Sequence, residues 1–564
     1  MAGGMDSDSL VKHLFLGELP PALVLPYPTL APEAREFLDM FRQSLARFAA
    51  LKIDSRAIDK QHRVPQEVLD GLAELGLFGV RIAEQHGGLD LNMTQYVRLG
   101  ADLSVLDGAV AILSGGHSTI GIKALQLYGT PEQQARYLPR LATGQLKAGF
   151  ALSEAGAGSD AQSLRCSARR QPDGSYLIHG DKLWITNGGF ADLLTVFVRT
   201  PDHPRADGRP PISCFLVERA HGFRSGPEED KLGIRGSSTT PIVFEDVRVP
   251  AENLLGAPGD GFRIALHVLN AGRTGLAGGC LGEARFLLEE AVDYTAQREQ
   301  FGRPIGEFEL IREKLGRCAQ DVHALECMTF LTTGRIDAGA RDVALESALC
   351  KVFGTETLWM VVNDAIQCAG GNGFTTDYPY ERMLRDARVN MIFEGTNEIL
   401  RLMVAGTGLA EPGRRLAAGI EPRGAFGRRV SGAEAPELLP VPAPLQSEAL
   451  ALCLGATDLA VAAVEALRRH GPALKQRQLV LANLADQALA LYAQCAVLSR
   501  ATAAVESRGE AGAADELLLA RGACRRQARR ARAAVDSLRD NDDHLLLEVA
   551  DLARRAGGLP GDMA

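Results

Sequence analysis

The chain has 564 residues, 46% of them hydrophobic and 23% charged, a composition that excludes disorder over its whole length. Its 61 basic and 70 acidic residues leave a formal net charge of −9, which argues against nucleic acid as the main partner. At roughly 150 residues per domain the length predicts three or four domains, and no run approaches the ~20 apolar residues of a membrane span.

The N-terminal part is predicted to be irregular at first and then helical. Residues 1–31 are Pro-rich, and Met1–Leu10 has no basic residue and no apolar core, so it does not read as a signal or transit peptide. Across Pro32–Leu51 apolar residues recur every three or four positions, which indicates an amphipathic helix. Similar patterns continue and predict an N-terminal helical domain over residues 32–147.

The sequence pattern changes at residue 148, where short runs rich in β-branched and aromatic residues begin. Turn signals such as Pro172-Asp173-Gly174 separate these runs. The pattern predicts a middle antiparallel β domain over residues 148–255. Its clearest strand candidates are Ser175–His179, Leu194–Arg199, Ile212–Val217 and Pro241–Phe244.

Helical periodicity returns after the β domain and is interrupted once. Residues 256–410 predict a second helical domain of the four-helix type, and residues 411–445 contain several prolines and glycines typical of a linker. Residues 446–564 are rich in Ala and Leu and predict an additional C-terminal helical bundle. The fold class is therefore α+β, in the order helical, β, helical, with a helical appendage.

The number and spacing of the cysteines indicate the redox state of the cellular compartment. The 10 cysteines are scattered without a C-x-x-C pair, so neither a disulfide framework nor a zinc site is expected, and no metal is assigned. They are predicted to be buried thiols in a reducing compartment. With no recognisable leader, we expect a cytoplasmic, bacterial protein.

The first stretch that carries chemistry is FALSEAGAGSD, residues 150–160. Gly156 and Gly158 allow the backbone to approach a ligand closely, and the hydroxyls of Ser153 and Ser159 can bond to a phosphate or a heterocycle. On this stretch alone, a small-residue turn is the better interpretation.

The second stretch is KLWITNGG, residues 182–189. Trp184 and Thr186 are two residues apart, so on a strand they face the same side. An indole there can stack on a flat cofactor while the hydroxyl reaches a ring nitrogen. A core tryptophan in a β sandwich is the alternative.

Two further stretches predict contacts to an anionic or closely packed ligand. Arg298, in REQFGRPI, has the planar fork that suits a pyrophosphate, although a solvated helix end is the alternative. Gln367 opens QCAGGNGF, where three glycines within four positions fit a backbone packed against a ligand. A simple helix C-cap is the alternative there.

The fifth stretch, RMLRDARVNMIFEGTNEIL, contains a candidate base. Glu394 follows the apolar run Met391–Phe393 and precedes Gly395. A carboxylate in apolar surroundings has its charged form disfavoured, which makes it a stronger base. A surface glutamate at a helix end is the alternative.

Taken together and in this order, the five stretches resemble the acyl-CoA dehydrogenase family. The resemblance runs from about His13 to Leu409. The opening HLFLGELPPALVLPYP and the appendage after residue 440 are similar to the very-long-chain branch, which includes a relative that also assembles respiratory complex I.

The resemblance implies FAD between the β domain and the second helical domain, and oxidation of long-chain acyl-CoA to trans-2-enoyl-CoA in fatty acid β-oxidation. Implied cofactor-binding residues are Phe150, Leu152, Ser153, Gly158, Ser159, Trp184, Thr186, Arg298, Gln300, Gln367, Gly371, Thr396 and Glu398. Implied substrate-binding residues are Ser159, Asn270, Arg273, Gly115, Gly116 and Gly395.

The resemblance also implies that Glu394 removes the α proton while the β hydride goes to flavin N5. Some branches of the family place this base immediately before the position of Arg273. That position is Gly272 here, so Glu394 is the matching candidate. Gly115 and Gly116 lie where the family's pocket ends, and without side chains they predict a slot deep enough for long acyl chains.

The resemblance further implies a homodimer, because Arg298, Gln300, Gln367 and Gly371 would reach the flavin of the neighbouring subunit. Electron-transfer flavoprotein is the implied electron acceptor. The Arg-rich residues 414–429 are either a membrane-peripheral segment or a solvated linker. They contain few apolar residues for a helix that lies in a membrane interface. An acyl-CoA oxidase that reacts with oxygen, or an assembly protein that retains FAD, are the alternative functions.

Overall fold

The computed structural model describes residues 7–203, 211–420 and 438–559. The chain divides into two compact units. One unit comprises Pro28–Asn397 and the other comprises Met1–Tyr27 with Glu398–Ala564.

The first unit begins with helices, as the periodicity predicts. The helix expected over Pro32–Leu51 is confirmed as Pro32–Lys52, and Pro32 in its first turn has no N–H to leave unpaired. A π-helical turn at Gly116–Gly121 interrupts the helical region. The helices are α3 Pro32–Lys52, α4 Ser55–Gln61, α5 Gln66–Glu74, α6 Met93–Leu106, α7 Gly108–Gly115, α8 Lys123–Tyr128 and α9 Pro131–Ala142, and they follow α1 Leu10–Leu14 and α2 Pro21–Val24 of the second unit.

The β domain is one sheet in the order β6-β7-β3-β2-β4-β5-β8, with β1 paired to β4. The strands are β1 Ala148–Ala151, β2 Ser167–Arg170, β3 Tyr176–Thr186, β4 Leu193–Arg199, β5 Ile212–Glu218, β6 Arg224–Ser225, β7 Thr239–Val249 and β8 Leu254–Leu255. The predicted antiparallel β domain is confirmed for most strand pairs. The two pairs of β4 with β1 and with β2 are parallel, which the sequence did not predict. The central strands β4 and β5 are buried along almost their whole length, since apolar clusters cover both faces of the sheet.

The second helical part is built around one long helix, α10 Gly261–Gln297. It packs closely on α6, because a Cβ at Gly282 would lie 2.2 Å from the backbone oxygen of Ala101. A short hairpin with β9 Glu299–Gln300 and β10 Arg303–Pro304 follows α10. The remaining helices are α11 Glu309–Asp337, α12 Ala344–Ala369, α13 Gly371–Phe374, α14 Tyr380–Arg388 and α15 Asn397–Gly408, the last of which continues into the second unit.

The second unit contains two short helices where residues 1–31 were predicted to be irregular, α1 and α2. Its other helices are α16 Ala410–Ala417, α17 Gln446–His470, α18 Gln478–Gly512, α19 Ala514–Arg539 and α20 Asp543–Ala556. Helix α16 occupies the start of the predicted linker, where Arg415 pairs with Glu411 at 3.0 Å and with Glu18 at 3.3 Å. The rest of the arginine-rich part, from 421 to 429, lies outside the described residues.

Two segments of this unit contradict the expectation that no stretch could span a membrane. Ala443–Gln476 and Gln478–Gly512 are long and apolar enough to do so by length and composition. Of their most apolar windows, 56% and 83% respectively are buried within the protein. The core helix of a bundle has the same length and composition, so these helices alone do not define a span.

All 10 cysteines are buried and none is in a disulfide, which confirms the prediction of buried thiols.

Candidate active site

Glu394 lies on a tight loop before α15, in a backbone conformation that side chains rarely adopt. Its φ is +58° and that of Gly395 is +93°. Such a conformation costs a non-glycine residue about 1–2 kcal/mol, so neighbouring groups must hold it. Arg273 Nε on α10 donates to the backbone oxygen of Glu394 at 3.0 Å. Lys351 Nζ on α12 donates to the backbone oxygen of Gly395 at 2.9 Å and to Asn397 Oδ1 at 2.8 Å.

The carboxylate of Glu394 is in an unusual electrostatic setting. The residue as a whole is half-buried, but its Oε2 atom is buried and receives no hydrogen bond from any described residue. Burial raises the pKa of Glu394 to about 7, although the charges of Arg273 and Lys351 pull the pKa down. A carboxylate with that pKa is suited to take up a proton at neutral pH.

Lys351 is the part of this site that the sequence analysis missed. Its side chain is completely buried, and burial lowers its pKa to about 8 against the opposing charges of Cys280 and Glu394. A lysine between Cys350 and Val352 in an otherwise apolar helix segment was the available signal. Buried lysines are rare unless they are paired, so that position points to a specific partner.

Gly272 faces the carboxylate directly. A Cβ at this position would lie 2.7 Å from Glu394 Oε2, 3.1 Å from its Cδ and 3.0 Å from Ile120 Cγ2. A side chain at residue 272 and the present position of the Glu394 carboxylate therefore exclude each other. Gly272 therefore leaves free the space that the Glu394 carboxylate occupies.

A narrow cavity, here called the slot, begins at Glu394 and follows α10 toward its C-terminal end. Gly272, Gly275 and Gly279 lie on one side of it, and between the first and last of these the helix axis advances about 10 Å. The slot is lined by Tyr96, Gly100, Leu103, Ser104, Ala111, Ile112, Ser114, Gly115, Gly116, Thr119, Ile120, Thr186, Gly272, Gly275, Leu276, Gly279, Phe393 and Glu394. Most of these side chains are small or apolar, so the slot fits an extended hydrocarbon chain.

The two glycines predicted to leave the slot open have different surroundings. Both line it, but a Cβ at Gly116 would lie 2.8 Å from Thr186 Cγ2 and 3.3 Å from Asn187 Nδ2. A Cβ at Gly115 would meet only ordinary contacts, 3.8 Å from Tyr96 Oη and 3.9 Å from Thr119 Oγ1. Gly116 therefore allows the close approach of strand β3, while Gly115 keeps the middle of the slot open.

The β domain presents an open shelf formed by residues 152–159 and 182–186. Trp184 is 57% exposed with a φ of +57°, so the core interpretation of this tryptophan is wrong. Ile185 between them is buried, whereas Trp184 is exposed and Thr186 is half-buried. A Cβ at Gly156 or Gly158 would meet nothing within 4 Å. A flat heterocycle fits this combination of an exposed indole, nearby hydroxyls and open space.

A buried ion pair joins the two halves of the shelf. Lys182 Nζ lies 2.7 Å from Glu154 Oε1 and donates to the backbone oxygen of Leu152 at 3.2 Å. The carboxylate of Glu154 also accepts from the backbone N–H groups of Arg165 and Cys166. The backbone N–H of Leu183 donates to the oxygen of Ser153 at 2.9 Å. These bonds fix the first two sequence motifs beside each other.

Of the predicted site residues, the structure brings together at the slot Glu394, Gly395, Arg273, Gly115, Gly116 and Thr186. Asn270 lies beside them, because its Oδ1 accepts a hydrogen bond from Arg273 Nη1 at 3.2 Å. Phe150 packs on Phe197 in the β domain, and Leu152, Ser153, Gly158 and Ser159 follow it on the shelf. Arg298, Gln300, Gln367 and Gly371 lie on exposed segments outside the slot. Thr396 follows Gly395 directly, and Glu398 is an exposed residue of the second unit.

Comparison with known proteins supports one assignment. Models of the acyl-CoA dehydrogenase N-terminal, middle and C-terminal domains match residues 35–145, 149–247 and 259–409. The model of the ACAD9/ACADV C-terminal domain matches residues 444–554. The mitochondrial very long-chain specific acyl-CoA dehydrogenase of Macaca fascicularis is 39% identical over 557 residues, covering 95% of this chain and 85% of its own.

Solved structures with the same arrangement are also similar. The crystal structure of acyl-CoA dehydrogenase complexed with FAD from Bacillus anthracis is 31% identical, with a TM-score of 0.83 over 98% of this chain and 96% of its own. Butyryl-CoA dehydrogenase from Megasphaera elsdenii is 33% identical, with a TM-score of 0.63 over 68% of this chain and 99% of its own.

The contact at Gly272 gives a first prediction. In Gly272→Ala the new methyl group displaces the Glu394 carboxylate, so the rate of acyl-CoA oxidation should fall roughly 10- to 100-fold. Steady-state kinetics measure the loss. Gly100→Ala is the matched control, since its Cβ enters open space in the same slot. Equal rates for the two variants would contradict the contact.

The Lys351 contacts give a second prediction. As the candidate base, Glu394 must be deprotonated to accept a proton, so activity should be lost as the pH falls through its pKa of about 7. Lys351→Met removes a positive charge that lowers this pKa, so the acid limb of kcat/KM should move up by about one pH unit. Lys314→Met, which removes a lysine that pairs with Asp364 outside the slot, should leave the limb in place. An unmoved limb in a folded Lys351→Met enzyme contradicts the electrostatic coupling.

Proposed function

This chain belongs to the acyl-CoA dehydrogenase family, and from that premise we propose that it oxidises long-chain saturated acyl-CoA to trans-2-enoyl-CoA in fatty acid β-oxidation. The single observation that carries the proposal is the buried, incompletely bonded carboxylate of Glu394 at the start of the slot. A base with a raised pKa next to a channel for a hydrocarbon chain is the arrangement that removal of an α proton requires.

The shelf is the proposed FAD site. FAD bound there supplies the acceptor for the hydride that leaves the β carbon. Trp184 and Thr186 would cover the isoalloxazine ring, and the hydroxyls of Ser153 and Ser159 with the backbone at Gly158 would bond its polar edge. The ion pair of Glu154 with Lys182 holds these residues in position before the cofactor binds.

Glu394 is the proposed base for the α proton. The proton moves from the α carbon of the thioester to a carboxylate oxygen of Glu394, which becomes neutral. Neutralisation is favourable in this place, because burial disfavours the charged form and no described donor stabilises Oε2. The bonds from Arg273 and Lys351 to the loop backbone keep the carboxylate aimed at the substrate throughout the step.

The slot is the proposed site of the acyl tail. Each methylene group buried in it should stabilise binding by ~0.8 kcal/mol until the slot is filled. The tail also excludes water from the carboxylate, which raises the pKa of Glu394 further and strengthens the electrostatic interactions around it. Gly100, Gly275 and Gly279 line the slot beyond Gly272, and a Cβ at Gly100 would meet nothing within 4 Å, which supports the proposed specificity for long chains.

We further propose a homodimer that passes electrons to electron-transfer flavoprotein. The hairpin after α10 is exposed, and Phe301 at its tip is 95% exposed. An apolar tip of this kind is suited to contact with a second subunit. Arg298 and Gln300 on this segment, with Gln367 and Gly371, would then reach the neighbouring cofactor.

Replacement of the base tests the chemical step. Glu394→Gln keeps the size of the side chain but cannot accept the α proton, so turnover should fall by at least ~1,000-fold while FAD content is unchanged. Glu283→Gln is the matched control. Glu283 is also buried on α10 with an unbonded Oε2 and a pKa raised to about 8, yet it lies outside the slot.

The same assay separates the alternatives. Near-normal oxidation by Glu394→Gln would contradict the base assignment. Stoichiometric hydrogen peroxide from the unmodified enzyme in air would favour an oxidase. No turnover of any acyl-CoA by the loaded protein would favour an assembly role.

A second pair of variants tests the direction and depth of the slot. Gly115→Leu fills its middle, beside Tyr96 and Thr119, and should shift the preferred substrate to much shorter chains. Gly100→Leu lies further along and should reduce activity only with the longest chains. Profiles of kcat/KM against acyl length measure both shifts.

Gly316→Leu is the control for the slot variants, because this glycine is exposed on α11 with open space around it. It should leave the profile unchanged. The long-chain proposal fails if the unmodified enzyme prefers C4 to C8 substrates, or if neither slot variant alters the profile.

A further inference from the structure

The direction of the slot determines how the rest of the substrate leaves the site. The slot extends from Glu394 toward Gly279, so the acyl tail lies beside the part of α10 that follows Gly272. The thioester joins the tail to its carrier arm, and the two leave the reacting carbon in opposite directions. With the tail in the slot, the carrier arm therefore runs beside the part of α10 that precedes Gly272. This argument rests on the proposed function.

The preceding turns of α10 offer a continuous face for such an arm. Arg273, Asn270, His267 and Arg263 follow one another at intervals of three or four residues, so they lie on one side of the helix. They pass from buried Arg273 through half-buried Asn270 to exposed His267 and Arg263. From Arg273 to Arg263 the axis advances about 15 Å. An extended pantetheine arm can follow this face from the base to the surface.

At the outer end of this face three side chains form a polar cluster. Tyr128 Oη and His267 Nδ1 share a hydrogen bond, and Arg263 Nη1 donates to Tyr128 Oη at 3.3 Å. The guanidinium lies 5.1 Å from the centre of the Tyr128 ring. Arg263 Nη2 also donates to Asp260 Oδ2 at 2.9 Å, which orients the guanidinium group.

The cluster has the donors that a phosphate group requires. A guanidinium carries five N–H groups in a fixed plane, so Arg263 retains donors beyond those used by Tyr128 and Asp260. Tyr128 and His267 use one proton in their mutual hydrogen bond, so a neutral imidazole leaves this pair one further O–H or N–H donor for a phosphate oxygen. Neither the slot nor the shelf uses any of these three residues.

We propose that Arg263, His267 and Tyr128 form a subsite for a phosphate of the carrier arm that bears the acyl chain. A pantetheine arm ends in a phosphate both in CoA and in carrier proteins, so the subsite would bind a group that both kinds of carrier have. It gives the enzyme a preference for phosphorylated carriers that the slot and the base cannot supply.

The test compares four substrates with the same acyl chain on the FAD-loaded enzyme. They are acyl-CoA, acyl-dephospho-CoA, acyl-4′-phosphopantetheine and acyl-pantetheine. Arg263→Gln should raise KM roughly tenfold for the phosphorylated substrates and leave KM for acyl-pantetheine and all kcat values unchanged. Tyr128→Phe should have a smaller effect of the same kind. Arg285→Gln is the control, since Arg285 is a similarly exposed arginine on α10 that pairs with Glu326.

Comparison of the four substrates identifies which phosphate binds. An effect on acyl-4′-phosphopantetheine assigns the phosphate next to pantetheine, which carrier proteins also have, whereas an effect on acyl-CoA but not on acyl-dephospho-CoA assigns the 3′-phosphate. An equal rise in KM for acyl-pantetheine, or no rise for any substrate, overturns the proposal. If the enzyme oxidises none of the four, the proposed function fails, and calorimetric binding of CoA against pantetheine tests the subsite without turnover.

Discussion

The carboxylate of Glu394 lies where burial opposes its charge and no described donor reaches Oε2, although two cations are close. Arg273 and Lys351 donate to backbone oxygens of the loop, at Glu394 and Gly395, and not to the carboxylate itself. The cations thus hold the loop and lower the pKa of Glu394 without occupying the oxygen atoms that receive a proton in the proposed reaction. A direct ion pair would have lowered the pKa well below neutrality and weakened the base.

Helix α10 arranges the remaining parts around this carboxylate. Gly272 makes room for Glu394, Arg273 holds its loop, and Gly275 and Gly279 line one side of the slot. On the other side the helix carries the polar face that ends at Arg263. One rigid element would therefore set the distances between the proposed base, the acyl tail and the carrier arm, which is the precision that an oriented proton transfer needs.

The sequence predicted much of this arrangement. Periodicity predicted a helix over Pro32–Leu51, observed as Pro32–Lys52, and the main strands, because burial of one face gives apolar residues a regular spacing. The motif around Glu394, with Gly272 as its counterpart, led to the candidate base through family resemblance. The parallel pairing of β1 with β4 was missed, since strand partners distant in sequence leave no local signal. Lys351 was missed because its partners, the backbone of Gly395 and the side chain of Asn397, lie more than 40 residues away in the sequence. The close approach of Thr186 to Gly116 was not predicted, because a glycine's residue type does not show which neighbour it faces.

The account depends on Glu394 being a buried carboxyl group that titrates near neutrality. Infrared difference spectroscopy of the FAD-loaded enzyme across pH, with Glu394→Gln as the reference, measures this directly through the stretching band of the protonated carboxyl. The account predicts a band that disappears with a midpoint near pH 7 and is absent from the variant. A midpoint near the ordinary value of ~4.3 for glutamate would contradict it, because the carboxylate would then be solvated or directly paired.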